Sequence, residues 1–472
     1  MKSEFSPPLA SRLRRLRRLW LEIQFWGRPG KCLLRAVSHA KRAQHSGEDS
    51  RMRQILSDAS TTADSIRQSE PVFARDWQAL LRFQLAVFDL RGAEETSRRA
   101  KQLDLPDSPA VLEQVLAIVS ETAPWQDSVE AARASMRDDW TARPSTGFVV
   151  FLPSTAMGLE SAQQPGLRVG LRFVFGQILA TCRAEGIPCE VRGRLANHGA
   201  VTVENGRCSI SHHTKSEREG GLHIKVTDLP GCFSFDARGY SGWSQFAQTP
   251  LEDLHLERVD LARAREFVSA MQQRIIGGNV SKYQQVQAGG AVQLPERYVF
   301  LGLQVIDDAV QALANVPMLE MLAEVAATCK QHQLSLVVKR HPRCGSAAVA
   351  RALARGLKAN DYQLSAASIH DLIAGSCAVC VVNSSVGAEA LLHGKPVYGF
   401  GESEYQHVCY KIREKGEFSK QFKPDELPVS RDDLTRYLYV LRTEYAVDAN
   451  NATAAIPFIH DRIMKHARGL NK

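Results

Sequence analysis

Two apolar, β-branched runs in the last third of the chain limit most narrowly how it can fold: Leu334 to Val338 in LSLVVKRHPR (334–343) and Val379 to Val382 in CAVCVVNSSVGAEALLHGKPVYGFG (377–401). Neither run alternates polar with apolar residues. Each therefore reads as a strand covered on both faces, the state of strands in a parallel sheet. Each is cut off by groups suited to an anion: Lys339-Arg340-His341-Pro342-Arg343 after the first, Asn383-Ser384-Ser385-Val386-Gly387 after the second. In an open α/β sheet ligands bind in the crevice beyond the carboxyl ends of the strands, so the two strand tips mark the expected site.

In the second segment a strand over Val379 to Val382 leads into a helix that continues through Glu389 to His393. Ser384 and Ser385 then stand as N-cap hydroxyls, and the first turn leaves backbone N–H groups free at the positive end of the dipole, a combination that attracts anions. Gly387 has no side chain to hold a phosphate off. Glu389, four residues after Ser385, shares its helix face and is placed to accept from ribose hydroxyls. The plainer alternative is an ordinary capped helix behind a buried strand. In the first segment Pro342 biases His341 away from helical geometry, so the imidazole stays at the strand tip. Its N–H, with Lys339 or Arg343, would neutralise a departing phosphate; a surface histidine is the alternative. Two strand-end anion sites in one α/β unit favour the ligand reading.

The order YVFLGLQVIDD (298–308), VVKRHPR (337–343) and VVNSSVGAEALLHGKPVYGFG (381–401) resembles the capsular polysaccharide synthesis family over roughly residues 145–410. Its members are bacterial Kdo transferases that use CMP-Kdo and are distantly similar to bacterial sialyltransferases. The resemblance implies that His341, Ser384 and Ser385 bind the CMP moiety. The family usually reads Pro-Leu-Gln where this chain has Gly302-Leu303-Gln304, which leaves the role of Gln304 open.

Upstream, residues 221–246 read as a strand pair ending at Asp236, followed by a loop with Gly239, Tyr240, Gly242 and Trp243. The family places a carboxylate before a glycine-aromatic loop, so Asp236 is the implied catalytic residue, acting as base or as nucleophile. The related enzymes imply retention of configuration. Read without the family, Asp236 is an Asx residue opening a turn. His212-His213-Thr214 reads as a solvated turn or as an acceptor-facing element; His213, Tyr240 and Gln304 are the further cleft candidates. No metal or other cofactor is expected: the chain lacks an Asp-x-Asp element, Asp307 and Asp308 being adjacent, and no partner stands at ligand spacing from the histidines. Protein cations would replace Mg²⁺ at the leaving group.

At 472 residues the chain exceeds one core. The fold expected is α/β of GT-B type, two Rossmann-like domains facing across a cleft, preceded by an α-helical N-terminal region. The segments are a basic arm (1–48), a helical region (49–142), an acceptor domain (143–280), a linker (281–295), a nucleotide-sugar domain (296–430) and C-terminal helices (431–472). The helical region has no fixed repeat period; it would serve as a stabilising cap or as a scaffold for polysaccharide assembly proteins.

Residues 1–43 hold eleven Lys and Arg against Glu4 and Glu22, a net +9 where the whole chain carries +8. Leu13, Leu16, Leu19, Trp20, Ile23, Phe25 and Trp26 fall largely on one helical face between them. Interleaved Leu and Trp favour apolar burial over nucleic acid, so an anionic membrane surface or docking on its own protein is expected. The apolar runs are too short to span or to direct export, which points to a cytoplasmic chain peripheral on the inner membrane. The ten cysteines, Cys377 and Cys380 among them, read as buried thiols with no disulfide framework.

Two function classes follow. One is a glycosyltransferase moving a sugar, Kdo by the resemblance, from its CMP donor to a glycolipid or surface polysaccharide, with sialic acid or a UDP-sugar as open alternatives. The other is a non-catalytic assembly protein with a relic sugar-nucleotide fold. Joint retention of His341, Ser384, Ser385 and Asp236 favours the enzyme.

Overall fold

The computed structural model describes residues 28–137, 147–161, 164–196, 207–216, 221–285 and 293–470, so most of the basic arm lies outside the described residues. The chain divides into two compact units. The first comprises Met1–Pro144, Val150–Leu159 and Glu190–Asn197; the second comprises Ser145–Val149, Glu160–Cys189 and His198–Lys472.

The first unit is built from helices α1 (Pro29–His45), α2 (Asp49–Gln68), α3 (Glu70–Ala86), α4 (Leu90–Gln102), α5 (Ser108–Thr122) and α6 (Gln126–Ser135). Prolines stand in the first turns of α1, α3 and α5, where the missing N–H costs nothing. Asp89 caps α4 by accepting from the Gly92 N–H at 3.1 Å. In α2 the buried residues are Met52, Leu56, Ala59, Ala63 and Ile66, a single stripe at helical spacing.

Strands β1 (Gly147–Pro153) and β2 (Cys189–Arg194) are divided between the units. Within the second unit, α7 (Leu167–Ala184) precedes β3 (Arg207–His212), β4 (Gly221–Val226) and β5 (Cys232–Asp236). The pairs are β3–β4 parallel and β4–β5 antiparallel, the latter being the strand pair expected before Asp236. Short α8 (Gln245–Gln248) and α9 (Leu261–Gln272) close this body.

The second body runs β6 (Tyr298–Gly302), α10 (Met318–Gln331), β7 (Ser335–Lys339), α11 (Ala347–Lys358), β8 (Gln363–Leu364), α12 (Ile369–Ala374), β9 (Ser376–Val381), α13 (Val386–Leu392), β10 (Val397–Gly399), β11 (Tyr410–Lys411) and α14 (Glu417–Gln421). Its order is β8-β7-β6-β9-β10-β11, parallel at each pairing, with the switch in chain direction beside β6. This is the doubly wound order whose switch point opens a ligand crevice. Successive β6 residues bury on opposite faces: Tyr298 and Phe300 join one apolar cluster, Val299 and Leu301 another. That two-sided burial is why the runs read as unbroken apolar stretches.

The chain then returns. After α15 (Arg431–Val440), strand β12 (Ala446–Asp448) pairs antiparallel with β5 of the first body, and α16 (Ala452–Leu470) packs on α7. The C-terminal segment, expected as helices alone, thus also carries a strand of the first sheet. Two Rossmann-like α/β bodies after a helical N-terminal region are the GT-B class of fold expected from sequence.

Candidate functional site

Register places the strand tips together. Gly302 of β6 pairs with Lys339 of β7, and Leu301 pairs with Cys380 of β9. His341 and Asn383 therefore follow strands that flank β6 on either side, with Gln304 in the exit between them. Gln304 Nε2 donates to Asn383 Oδ1 at 2.7 Å, and the Asn383 N–H donates back to Gln304 Oε1 at 3.3 Å. Asn383 Nδ2 also donates to the Val310 carbonyl at 2.8 Å. Both amides are buried, so this reciprocal pair fixes the start of the Ser384-Ser385 turn. Glycine at 302 leaves that function of Gln304 intact.

At His341 the ring Nδ1 accepts from the Arg343 N–H at 3.1 Å. In the neutral tautomer this leaves the proton on Nε2. Burial first, and Arg343 second, push the imidazole pKa down to about 4, so it is a neutral donor at physiological pH. Tyr283 meets the ring edge-on with centroids 5.0 Å apart.

Two cavities meet at these groups. A polar one of about 110 Å³ is lined by His341, Ser384, Ser385, Gln304, His213 and Tyr240, with Lys225, Lys282, Asp228, Asp308 and Glu404. A mainly apolar one of about 510 Å³ shares Tyr283, His341, Ser384 and Ser385 with it, and adds Lys339, Leu364, Ile369, Val386 and Glu389. The larger volume falls in the range of small-ligand sites, about 300–1,000 Å³.

Glu389 is 2 % exposed. Desolvation raises its pKa to about 8 against a lowering contact with Ser281, and its Oε1 has no hydrogen-bond partner among the described residues. A buried acceptor facing a cavity suits a ligand hydroxyl.

Four expectations need correction. Asp236 does not line the cavity shared by His341 and the serines; it borders a separate one of about 1100 Å³. Its Oδ1 accepts the N–H groups of Arg238, Gly239 and Gln245 at 2.8, 2.9 and 2.8 Å, and its Oδ2 that of Phe246 at 3.1 Å. Four backbone donors, three of them on Oδ1, anchor this carboxylate, so Asp236 shapes the loop that presents Tyr240 and Ser241 to the polar cavity. Gly387 does not clear space for a phosphate: a Cβ there would lie 2.6 Å from the ring of Tyr405, whose hydroxyl donates to the Ser384 carbonyl. Arg343 is exposed and lines neither cavity, while the Lys339 amine is tied to the Ala367 carbonyl. The serines are not helix caps in the expected sense. Ser384 Oγ reaches only the Val386 N–H, at 3.4 Å, and Ser385 makes no capping bond to α13.

Lys225, Lys282 and Tyr283 were not anticipated. Lys225 interrupts the apolar GLHIKV strand, a signal present in the sequence; Lys282 and Tyr283 sit in a connecting segment with none.

Residues 263–411 match the model of the family described as capsule polysaccharide biosynthesis protein. No curated protein matches the chain. Similar solved structures include KpsC of Thermosulfurimonas dismutans, as a beta Kdo 2,7 transferase (15 % identity, 67 % of this chain and 99 % of that one, TM-score 0.38) and as a beta Kdo 2,4 transferase (16 %, 68 % and 99 %, TM-score 0.40). The wall teichoic acid polymerase TagF is similar over 76 % of this chain and 98 % of its own, at 11 % identity and TM-score 0.25.

Proposed function

We propose that this chain is a glycosyltransferase of bacterial surface-polysaccharide synthesis that transfers Kdo from CMP-Kdo to a glycolipid or oligosaccharide acceptor, without a metal. The observation that carries this is the meeting of two cavities at His341, Ser384 and Ser385. The apolar cavity takes the nucleoside, with Glu389 on the ribose hydroxyls, and the polar one takes the sugar. The phosphate bridges them.

In the reaction the bond from the anomeric carbon to the phosphate oxygen breaks and CMP leaves. The His341 Nε2–H and the serine hydroxyls donate to the charge that gathers on the phosphate, fixed donors aimed at the developing anion. Asp228 is bound by Arg442 at 2.6 and 2.5 Å, which leaves Asp308 and Glu404 as the cavity's carboxylates for the other face of the sugar. One of them takes the proton of the attacking acceptor hydroxyl, or displaces CMP from the anomeric carbon to form a glycosyl ester, which the acceptor hydroxyl then displaces while its proton passes to the other carboxylate, with net retention. No helix of the described residues is long and apolar enough to cross a membrane, and in this reading residues 1–43 hold the enzyme on an anionic inner-membrane surface.

Calorimetric titration with CMP tests the donor site. His341→Ala and the double change Ser384→Ala with Ser385→Ala should each weaken CMP by about tenfold or more, the scale of a lost charge-assisted bond; unchanged affinity would remove these residues from the donor site. Mass spectrometry after incubation with CMP-Kdo and a panel of acceptor glycolipids should show an added Kdo, lost in Asp308→Asn or Glu404→Gln while CMP still binds.

A further inference from the structure

Three lysines approach the paired cavities, and they are not alike. In the apolar one, the Lys339 amine donates to the Ala367 carbonyl and to Gln285 Oε1. In the polar one, Lys225 arrives from β4 and Lys282 from the segment joining the two bodies. Among the described residues neither amine makes a hydrogen bond or an ion pair. Lys225 has only the face of Tyr240, with its Nζ 5.6 Å from the ring centroid.

The carboxylates of the same cavity pull on these amines without bonding them. Asp228 is the bidentate partner of Arg442, and Asp308 accepts from the Val310 N–H at 3.3 Å. Glu404 is itself pushed toward its neutral form, first by burial. For Lys225, desolvation is the largest influence and repulsion from Lys282 adds to it, outweighing the pull of Asp308 and Glu404, so its pKa falls well below the usual lysine value. Charge on both amines in a small, poorly solvated cavity is costly for a protein to hold. An anion arriving between them makes the charged form of both favourable.

The anion is not the phosphate already assigned to His341 and the serines. In a 2-ulosonic acid the anomeric carbon that carries the phosphate ester also carries a carboxylate, which places a second negative group one carbon away from the first. We infer that Lys225 and Lys282 form a carboxylate-binding pair that selects sugar acids over neutral sugars, an inference that rests on the CMP-donor reading above. The carboxylate belongs to the donor sugar or to an acidic sugar ending the acceptor; the chemistry of recognition is the same.

The test uses the full chain and its Lys225→Met, Lys282→Met and Lys225→Arg variants, titrated with CMP and with CMP-Kdo. CMP should bind all four proteins within about twofold, because the pair does not touch the nucleotide. The advantage of CMP-Kdo over CMP should fall by about tenfold in the Met variants and return in part with Arg, as expected for loss of one desolvated charge contact. If that advantage is retained while KM rises about tenfold for a carboxylate-ended acceptor but not for its methyl ester, the pair reads the acceptor. The inference is overturned if both readouts stay at wild-type values, or if CMP weakens in step with CMP-Kdo. Tighter binding of CDP than of CMP, lost in Lys225→Met, would also overturn it in favour of a pyrophosphate. Failure of the wild-type chain to bind CMP would instead strike the donor reading itself. Should Lys225→Met not fold, Lys282→Met, on a partly exposed connecting segment, carries the same comparison.

Discussion

Glu389 shows at the scale of one residue how a ligand site is held ready at the expense of the empty fold. Its carboxyl is buried, with one oxygen unpartnered, and its pKa is raised from 4.5 to about 8. For a raised group the native state keeps a proton that the unfolded chain has lost, so the contribution to stability is complete below pH 4.5 and disappears as pH rises through about 8. Over that window it amounts to a few kcal/mol, at about 1.4 kcal/mol per unit. Denaturation from pH 5 to pH 9 should therefore show the wild type losing stability relative to Glu389→Gln as the solution becomes alkaline. Saturating CMP, whose ribose hydroxyls supply the missing donors, should narrow the difference. Parallel pH profiles for the two proteins would show that the carboxyl titrates normally and is not enclosed as described. His341 slopes the other way: its ring stays neutral in the fold down to about pH 4 while the unfolded chain takes up a proton below 6.5, so its contribution is full above 6.5 and is lost as pH falls toward 4.

At the scale of elements, the local order of the site was legible and its tertiary neighbours were not. The two apolar runs, the breaks after them and the helix behind Ser385 follow from periodicity and turn chemistry within a few residues. Which atoms fill the space above Gly387 depends on Tyr405, and which group receives the Asp236 carboxylate depends on how the loop to Phe246 folds back; spacing carries neither fact. The same packing makes a prediction about α13. Its second residue, Gly387, lies under the Tyr405 ring, and Tyr405 holds the Ser384 carbonyl. Gly387→Ala must push the ring or the turn aside, an overpacking cost of about 1–3 kcal/mol. Because the displaced turn carries the serines, CMP affinity should fall along with the melting temperature. Tyr405→Phe, which keeps the ring and drops only the hydroxyl, should cost about 1 kcal/mol. A Gly387→Ala protein with wild-type melting and wild-type CMP affinity would mean that the turn and ring are not packed as described.

For the molecule as a whole, the alternation of strand and helix from Tyr298 to Phe400 announced a parallel sheet, whereas nothing local announced that the chain end returns to the first body. A three-residue strand, Ala446–Asp448, between two helices has no periodicity to read. What fastens the return is chemically specific. Arg442 and Asp228, 214 residues apart, are joined by two short bonds with side chains 6 % and 4 % exposed. Desolvation opposes charge on the guanidinium, yet the neighbouring Asp228 holds its pKa above the usual arginine value. A pair buried this far contributes little net stability as a pair, but losing one member leaves an uncompensated charge at a cost of about 3–5 kcal/mol. Arg442→Met should therefore lower the urea midpoint sharply, whereas Asp228→Leu with Arg442→Met should recover most of the loss, since two apolar groups replace two satisfied charges. Asp228 also lines the polar cavity. The double variant would thus refold the tail against β5 yet change the electrostatics around Lys225, and its CMP-Kdo affinity should move while its CMP affinity does not. A single Arg442→Met change costing under about 1 kcal/mol would show that the ion pair is hydrated and that β12 alone tethers the tail.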